Sequence, residues 1–175
     1  DDWFGSKERQ VPSRKQRIEI NPLLKGIEAP EFLQTVTLLH THERRQQDIA
    51  AGKTGKQVRP VSAKRSDLLE LPLAAWRRYA NDLEKGFLAA GLFLKKECFY
   101  GRRELPYRTQ LLPLAAVLSQ LGERWREPQI YGKLSQWFWC GVLGELYGGA
   151  VETRIANDFE QLLQWFEDND TVPRT

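Results

Sequence analysis

The sequence predicts an all-α domain, and three observations carry that reading. Apolar residues recur at steps of three and four over long stretches, the spacing that stacks side chains along one face of a helix. No segment alternates apolar and polar residues for more than four positions, so no strand signal competes. Proline and glycine fall at the ends of the periodic runs, where they start and stop helices. The expected architecture is an irregular bundle of about five to six helices around a central apolar helix spanning roughly residues 128–147.

Each element follows from its own residues. Ile18 to Leu24 fits either a short helix or an extended piece. The first long helix runs from Pro30 to about Ala51, turning Phe32, Leu33, Val36, Leu39, Ile49 and Ala50 inward, and Gly52 stops it. Ser66 caps a short turn over Asp67 to Leu71. From Pro72 a longer helix sets Leu73, Trp76, Ala80, Leu83, Phe87, Ala90 and Leu94 on one stripe, with Arg77, Arg78, Glu84, Lys85, Lys95 and Lys96 off it. Gly86 and Gly91 each weaken that helix by up to about 1 kcal/mol relative to alanine. Neither sits at an end, so both are expected at close helix contacts.

The next helix is expected to open at Pro106, with Tyr107, Leu111, Leu114, Leu118 and Leu121 inward and Gly122 as its cap; Pro113 inside it is expected to bend it. Ile130, Leu134, Trp137, Gly141 and Gly144 mark a helix from Pro128 to Tyr147. Its run Trp137 to Leu143 is apolar all round, which predicts burial on most sides. Gly148 and Gly149 end it. The last helix, Glu152 to Glu167, faces Ile155, Phe159, Leu162 and Phe166 inward and Asp158, Glu160, Glu167 and Asp168 outward.

With 175 residues, the chain has the length of one domain and buries enough surface to need no metal or disulfide staple. Cys98 and Cys140 lie in apolar settings without a CxxC pattern and are expected as reduced, buried thiols, which fits a cytoplasmic compartment. The longest uncharged run, Thr109 to Gly122, is shorter than the ~18 residues of a membrane span and contains a proline. The chain opens on Asp1-Asp2-Trp3 and contains no methionine, which is expected of a piece of a longer chain.

Familiar chemical patterns are weak. Gly52-Lys53-Thr54 mimics the end of a phosphate loop, but the glycine required five positions earlier is Gln47, and the fragment follows a helix rather than a strand. His40 and His42 point about 200° apart on a helix and cannot share a metal from it. No serine lies in a Gly-x-Ser-x-Gly context. No catalytic, cofactor-binding or metal-binding residue is therefore assigned.

Two groups of residues remain. A basic flexible loop is expected over residues 52–66, with no acid between Asp48 and Asp67. Its Lys53, Lys56, Arg59, Lys64 and Arg65, with Arg44 and Arg45 on the helix before it, are candidate phosphate contacts. That makes DNA a candidate partner in spite of a net charge of only +3. The loop lacks interleaved aromatics, so base stacking is not expected. Arg108, Glu145, Glu152 and Arg154 form a candidate buried polar group, with Arg154 answering Glu145.

Four stretches carry a resemblance: Glu31 to Leu39 (EFLQTVTLL), Lys64 to Leu71 (KRSDLLEL), Glu104 to Leu111 (ELPYRTQL), and Trp137-Phe138-Trp139-Cys140 through Gly144 to Arg154 (GELYGGAVETR). Together they resemble the helical middle region of the GmrSD-type restriction-endonuclease family. Members of that family join a ParB/sulfiredoxin-like module, associated with nucleotide hydrolysis, to an HNH nuclease module. The resemblance covers most of residues 30 to 170. Neither an Asp-Gly-Gln-Gln-Arg motif nor an HNH-type His-His pair occurs here, so no catalytic residue of the family maps onto this chain. It implies a noncatalytic helical connector, partnered by flanking modules of the same parent chain. The alternative is a protein-interaction or structural module without nucleic-acid contact.

Overall fold

In the computed structural model, which describes residues 2–5, 11–149, 151–168 and 172–173, local sequence sets most helix ends. The Ser13 hydroxyl accepts the Gln16 N–H while the Gln16 side chain accepts the Ser13 N–H, a capping box that opens α1 (Arg14–Glu19). Pro30 sits in the first turn of α2 (Ala29–Ala50), and Gly52, at φ 76°, follows its end. A short α3 (Arg65–Leu69) leads to α4 (Leu73–Lys96). Next come α5 (Leu111–Leu121), α6 (Pro128–Leu143) and α7 (Glu152–Glu167). Short 3₁₀ turns at Pro22–Leu24, Gly55–Gln57, Arg102–Glu104, Arg108–Gln110 and Gly122–Arg126 fill the connections. Among the described residues there is no strand, and no helix is long and apolar enough to cross a membrane.

The all-α bundle is as expected, but its centre is α5 rather than the 128–147 helix. Leu111 through Leu118 and Leu121 are all buried, and α5 packs against α4, α2 and α7. The uncharged run from Thr109 to Gly122 is the signature of that position. α6 buries one face through Ile130, Leu134, Trp137 and Phe138, while Leu143 is 80% exposed. α6 also ends four residues short of Tyr147; Gly144 caps it, Glu145 takes φ 52°, and the chain turns back to bury Tyr147.

Gly86 lies where α4 meets α5: a Cβ there would collide with the Ala115 carbonyl oxygen and with Ser119. Gly91 makes room for the Asn21 side chain. Pro106 does not open α5, which starts at Leu111 after the Arg108–Gln110 turn. Pro113 is therefore the third residue of α5, in the turn where a missing N–H costs little, and the expected kink has no cause.

Further assignments are corrected, the cysteines among them: Cys98 is exposed and Cys140 only partly buried. Ile49, Ala50 and Leu73, at the end of α2 and the start of α4, are exposed. At the end of α7 Trp165 is buried and Phe166 only partly so. Lys64 rather than Ser66 precedes the turn at α3, and Ser66 lies inside it. Residues 18–24 resolve into the end of α1 and the Pro22–Leu24 turn.

Candidate phosphate-binding cleft

The basic segment after α2 is folded back onto that helix, and one acid anchors its first half. Asp48 is buried near the end of α2. It accepts the Lys53 ammonium at 2.7 Å, the Arg59 N–H at 3.1 Å, and the Arg59 guanidinium at 2.7 and 2.8 Å. The Arg59 side chain, then Lys53, then the Arg59 N–H hold the Asp48 carboxyl well below the usual carboxylate range. Further along, Thr41 Oγ1 accepts the Ser62 N–H at 3.0 Å, and the Gln34 amide donates to the Ala63 carbonyl at 2.6 Å. Val61, Ser62 and Ala63 are buried as a result. The Ser62 hydroxyl donates to Asp67 at 2.5 Å and accepts the Lys64 N–H, which sets the entry into α3.

This fold-back leaves a cleft of about 590 Å³ between α2, the returning segment and the first turns of α7. Arg44 enters from α2, Arg59, Ser62, Lys64 and Ser66 from the segment, and Glu152, Thr153 and Asn157 from α7. No side chain caps the N-terminus of α7, so its first amide N–H groups add positive potential at this end. Of the two acids lining the cleft, Asp67 is engaged by Ser62 and Glu152 is exposed. Cations, hydroxyls and helix N–H groups around the cleft form a donor set suited to the oxygens of a phosphate.

The seven candidate phosphate contacts are thus divided. Arg44, Arg59 and Lys64 line the cleft. Lys53 is committed to Asp48, and Arg45 to Glu160 at 2.8 Å. Lys56 and Arg65 are exposed outside the lining.

The second candidate group does not assemble as one buried site. Arg108 donates to the Gly26 carbonyl and lies 3.5 Å from Glu31. Glu145 is exposed in the turn after α6, and Glu152 joins the basic cleft instead. Arg154 reaches Asp158 at 3.3 Å.

Asp158, expected outward, is the buried centre of this region. It is 2% exposed and accepts the Trp137 indole N–H at 2.9 Å and the Tyr147 hydroxyl at 2.5 Å. Burial, then the Asp158 charge, pushes the Tyr147 phenol well above its ordinary range. The spacing held a signal: position 158 follows Ile155 by three and precedes Leu162 by four, on the inward stripe.

His42 packs edge-on against Phe159, with ring centroids 5.1 Å apart. Burial lowers the pKa of both His42 and His40, and nearby arginines lower each further. Among the described residues no three His, Cys, Asp or Glu side chains are grouped to hold a metal ion.

No family model and no solved structure matches the chain. An uncharacterized protein of Methanocaldococcus jannaschii is 37% identical over 41 residues, a match covering 23% of this chain and 7% of that protein.

Proposed function

We propose that this chain is a noncatalytic helical domain that contacts DNA phosphates through the cleft between α2 and α7. On this reading it works in the cytoplasm as the connecting region of a GmrSD-type restriction protein. The convergence of Arg44 and Lys64 with Ser62, Ser66 and the start of α7 carries the proposal, with Arg59 held in the wall by Asp48. Exposed Lys56 and Arg65 extend the positive surface beside it. The stretches Glu31–Leu39 and Lys64–Leu71, which bear the family resemblance, supply Gln34, Lys64 and Asp67, residues that build or line the cleft wall.

The test is the affinity of a duplex oligonucleotide measured across salt concentrations. Binding through phosphates weakens as salt rises, with a log–log slope of about −0.9 per neutralised phosphate. Reversing Arg44, Lys64 and Arg65 to glutamate removes about 2.7 from the magnitude of that slope if each holds one phosphate. An unchanged slope contradicts the proposal. The second reading, a protein-interaction module without nucleic-acid contact, is favoured by the exposed apolar surface around Ile20, Leu92 and Tyr100. Absence of DNA binding at low salt selects it.

A further inference from the structure

A separate surface, on α1, α4 and the segment after α4, has the character of a docking groove. It is an open depression of about 520 Å³ lined by Ile20, Leu23, Leu88, Leu92, Phe99 and Tyr100. Leu23 and Phe99 form a buried floor, while Ile20 is 79%, Leu92 46% and Tyr100 61% exposed. The apolar surface continues past the groove. Phe99 stacks on Trp139, and Leu143 follows Trp139 by four residues, one turn along the same face of α6. Among the described residues, five of the eleven exposed large hydrophobic side chains therefore fall on this one surface. Scattered single apolar residues are normal on a protein surface, whereas a continuous set of this kind marks an interaction site.

Charge around the groove selects the occupant. Lys95 is its one charged lining residue. Lys25 follows the Pro22–Leu24 turn that forms one wall, and the Arg102–Glu104 turn packs against that wall, with Arg102 lying on Gly26. Lys25, Lys95 and Arg103 are exposed and have no acidic partner among the described residues. The neighbouring acids are already occupied. Glu19 accepts the Gly26 N–H at 2.8 Å, and Glu104 accepts the Tyr100 N–H at 2.6 Å. Glu97 accepts Tyr131, Ser135 and Trp139 at 2.5, 3.0 and 2.7 Å. The rim thus presents open basic side chains, while the acids beside it are engaged in hydrogen bonds.

We infer that this groove binds an amphipathic helix of a partner protein, apolar on one face and acidic along its flanks. Apolar anchors spaced three and four residues apart would fill the depression at Leu92 and Tyr100, and carboxylates beside them would meet Lys95, Lys25 and Arg103. The inference stands apart from the phosphate reading, since the two surfaces share no residue.

The experiment is selection of a displayed library of random helical peptides on the 175-residue chain, followed by anisotropy with the enriched peptides. Enriched sequences are expected to carry apolar residues at helical spacing with an excess of Asp and Glu. Leu92→Glu weakens their binding at least tenfold, and the Lys95→Glu/Arg103→Glu pair weakens acidic peptides more than peptides with those acids neutralised. Leu92, Lys95 and Arg103 are exposed, so these changes leave the fold intact, which circular dichroism checks. Enriched peptides that are basic or uncharged, binding that Leu92→Glu does not change, or no enrichment at all overturns the inference. A dimer in sedimentation that Leu92→Glu dissociates overturns it in favour of a second copy of this chain.

Discussion

Two buried aspartates play different parts in this molecule. Asp158 and Asp48 are each 2% exposed, but their partners differ in kind. Asp158 is answered from inside the bundle by an indole, a phenol and an arginine on its own helix, which ties α6 and the turn at Tyr147 to α7. Asp48 is answered from outside by Lys53 and Arg59, both about half exposed, which ties a connecting segment to the end of α2. The first carboxylate holds helices together. The second holds in place the segment that forms one wall of the cleft. The same residue type at the same burial serves stability in one place and site geometry in the other.

Removing each acid separates those roles. Asp158→Ala leaves Trp137, Tyr147 and Arg154 without their shared acceptor and is expected to cost about 3 kcal/mol of global stability, a fall in Tm of roughly 6–12 °C. Tyr147→Phe removes one of those donors and keeps the ring, so it costs about 1.5 kcal/mol in the same melt. Asp48→Asn is expected to leave Tm nearly unchanged while amide exchange quickens between residues 53 and 64. A large loss of Tm there would mean that the segment is part of the cooperative core.

The smallest expected effects are in pH. Because the Asp48 carboxyl titrates below its ordinary value of 3.8, its contribution is complete above that value. It is lost only as pH falls through the lower folded value, and the segment should stay protected at pH 5. His40 and His42 also titrate below their ordinary 6.5, so the folded state resists their protonation. Their share of stability is complete above pH 6.5 and declines as pH falls below it. Thermal melts between pH 7.5 and 5.5 check this, and His42→Phe is expected to flatten the decline.

Helical spacing made the all-α class and the five long helices readable, because each buries a continuous stripe. The run Trp137–Leu143, apolar all round, points to the wrong centre, because α6 buries only one face. The wholly uncharged run from Leu111 to Leu118 is the better mark of a helix packed on all sides. The cleft was legible in part. Lack of acids between Asp48 and Asp67 pointed to the right segment, but charge counting does not reveal that Asp48 takes Lys53 and Arg59 for itself. Nor does it bring in the start of α7, which tertiary packing against α5 and α2 carries to the cleft. Asp158 escapes a rule that sends acids on helices to solvent, because Trp137 and Tyr147 on other segments supply the compensating bonds.

The central claim is that phosphate contact belongs to the cleft and not to basic charge in general. The most direct measurement compares the salt dependence of duplex DNA binding for two charge-matched variants. Arg44→Glu/Lys64→Glu changes the cleft lining, and Arg77→Glu/Lys85→Glu changes exposed positions of α4. The account predicts that the cleft pair lowers the magnitude of the slope by about 1.8 while the α4 pair leaves it near the unmodified value. Equal flattening by both pairs would contradict it.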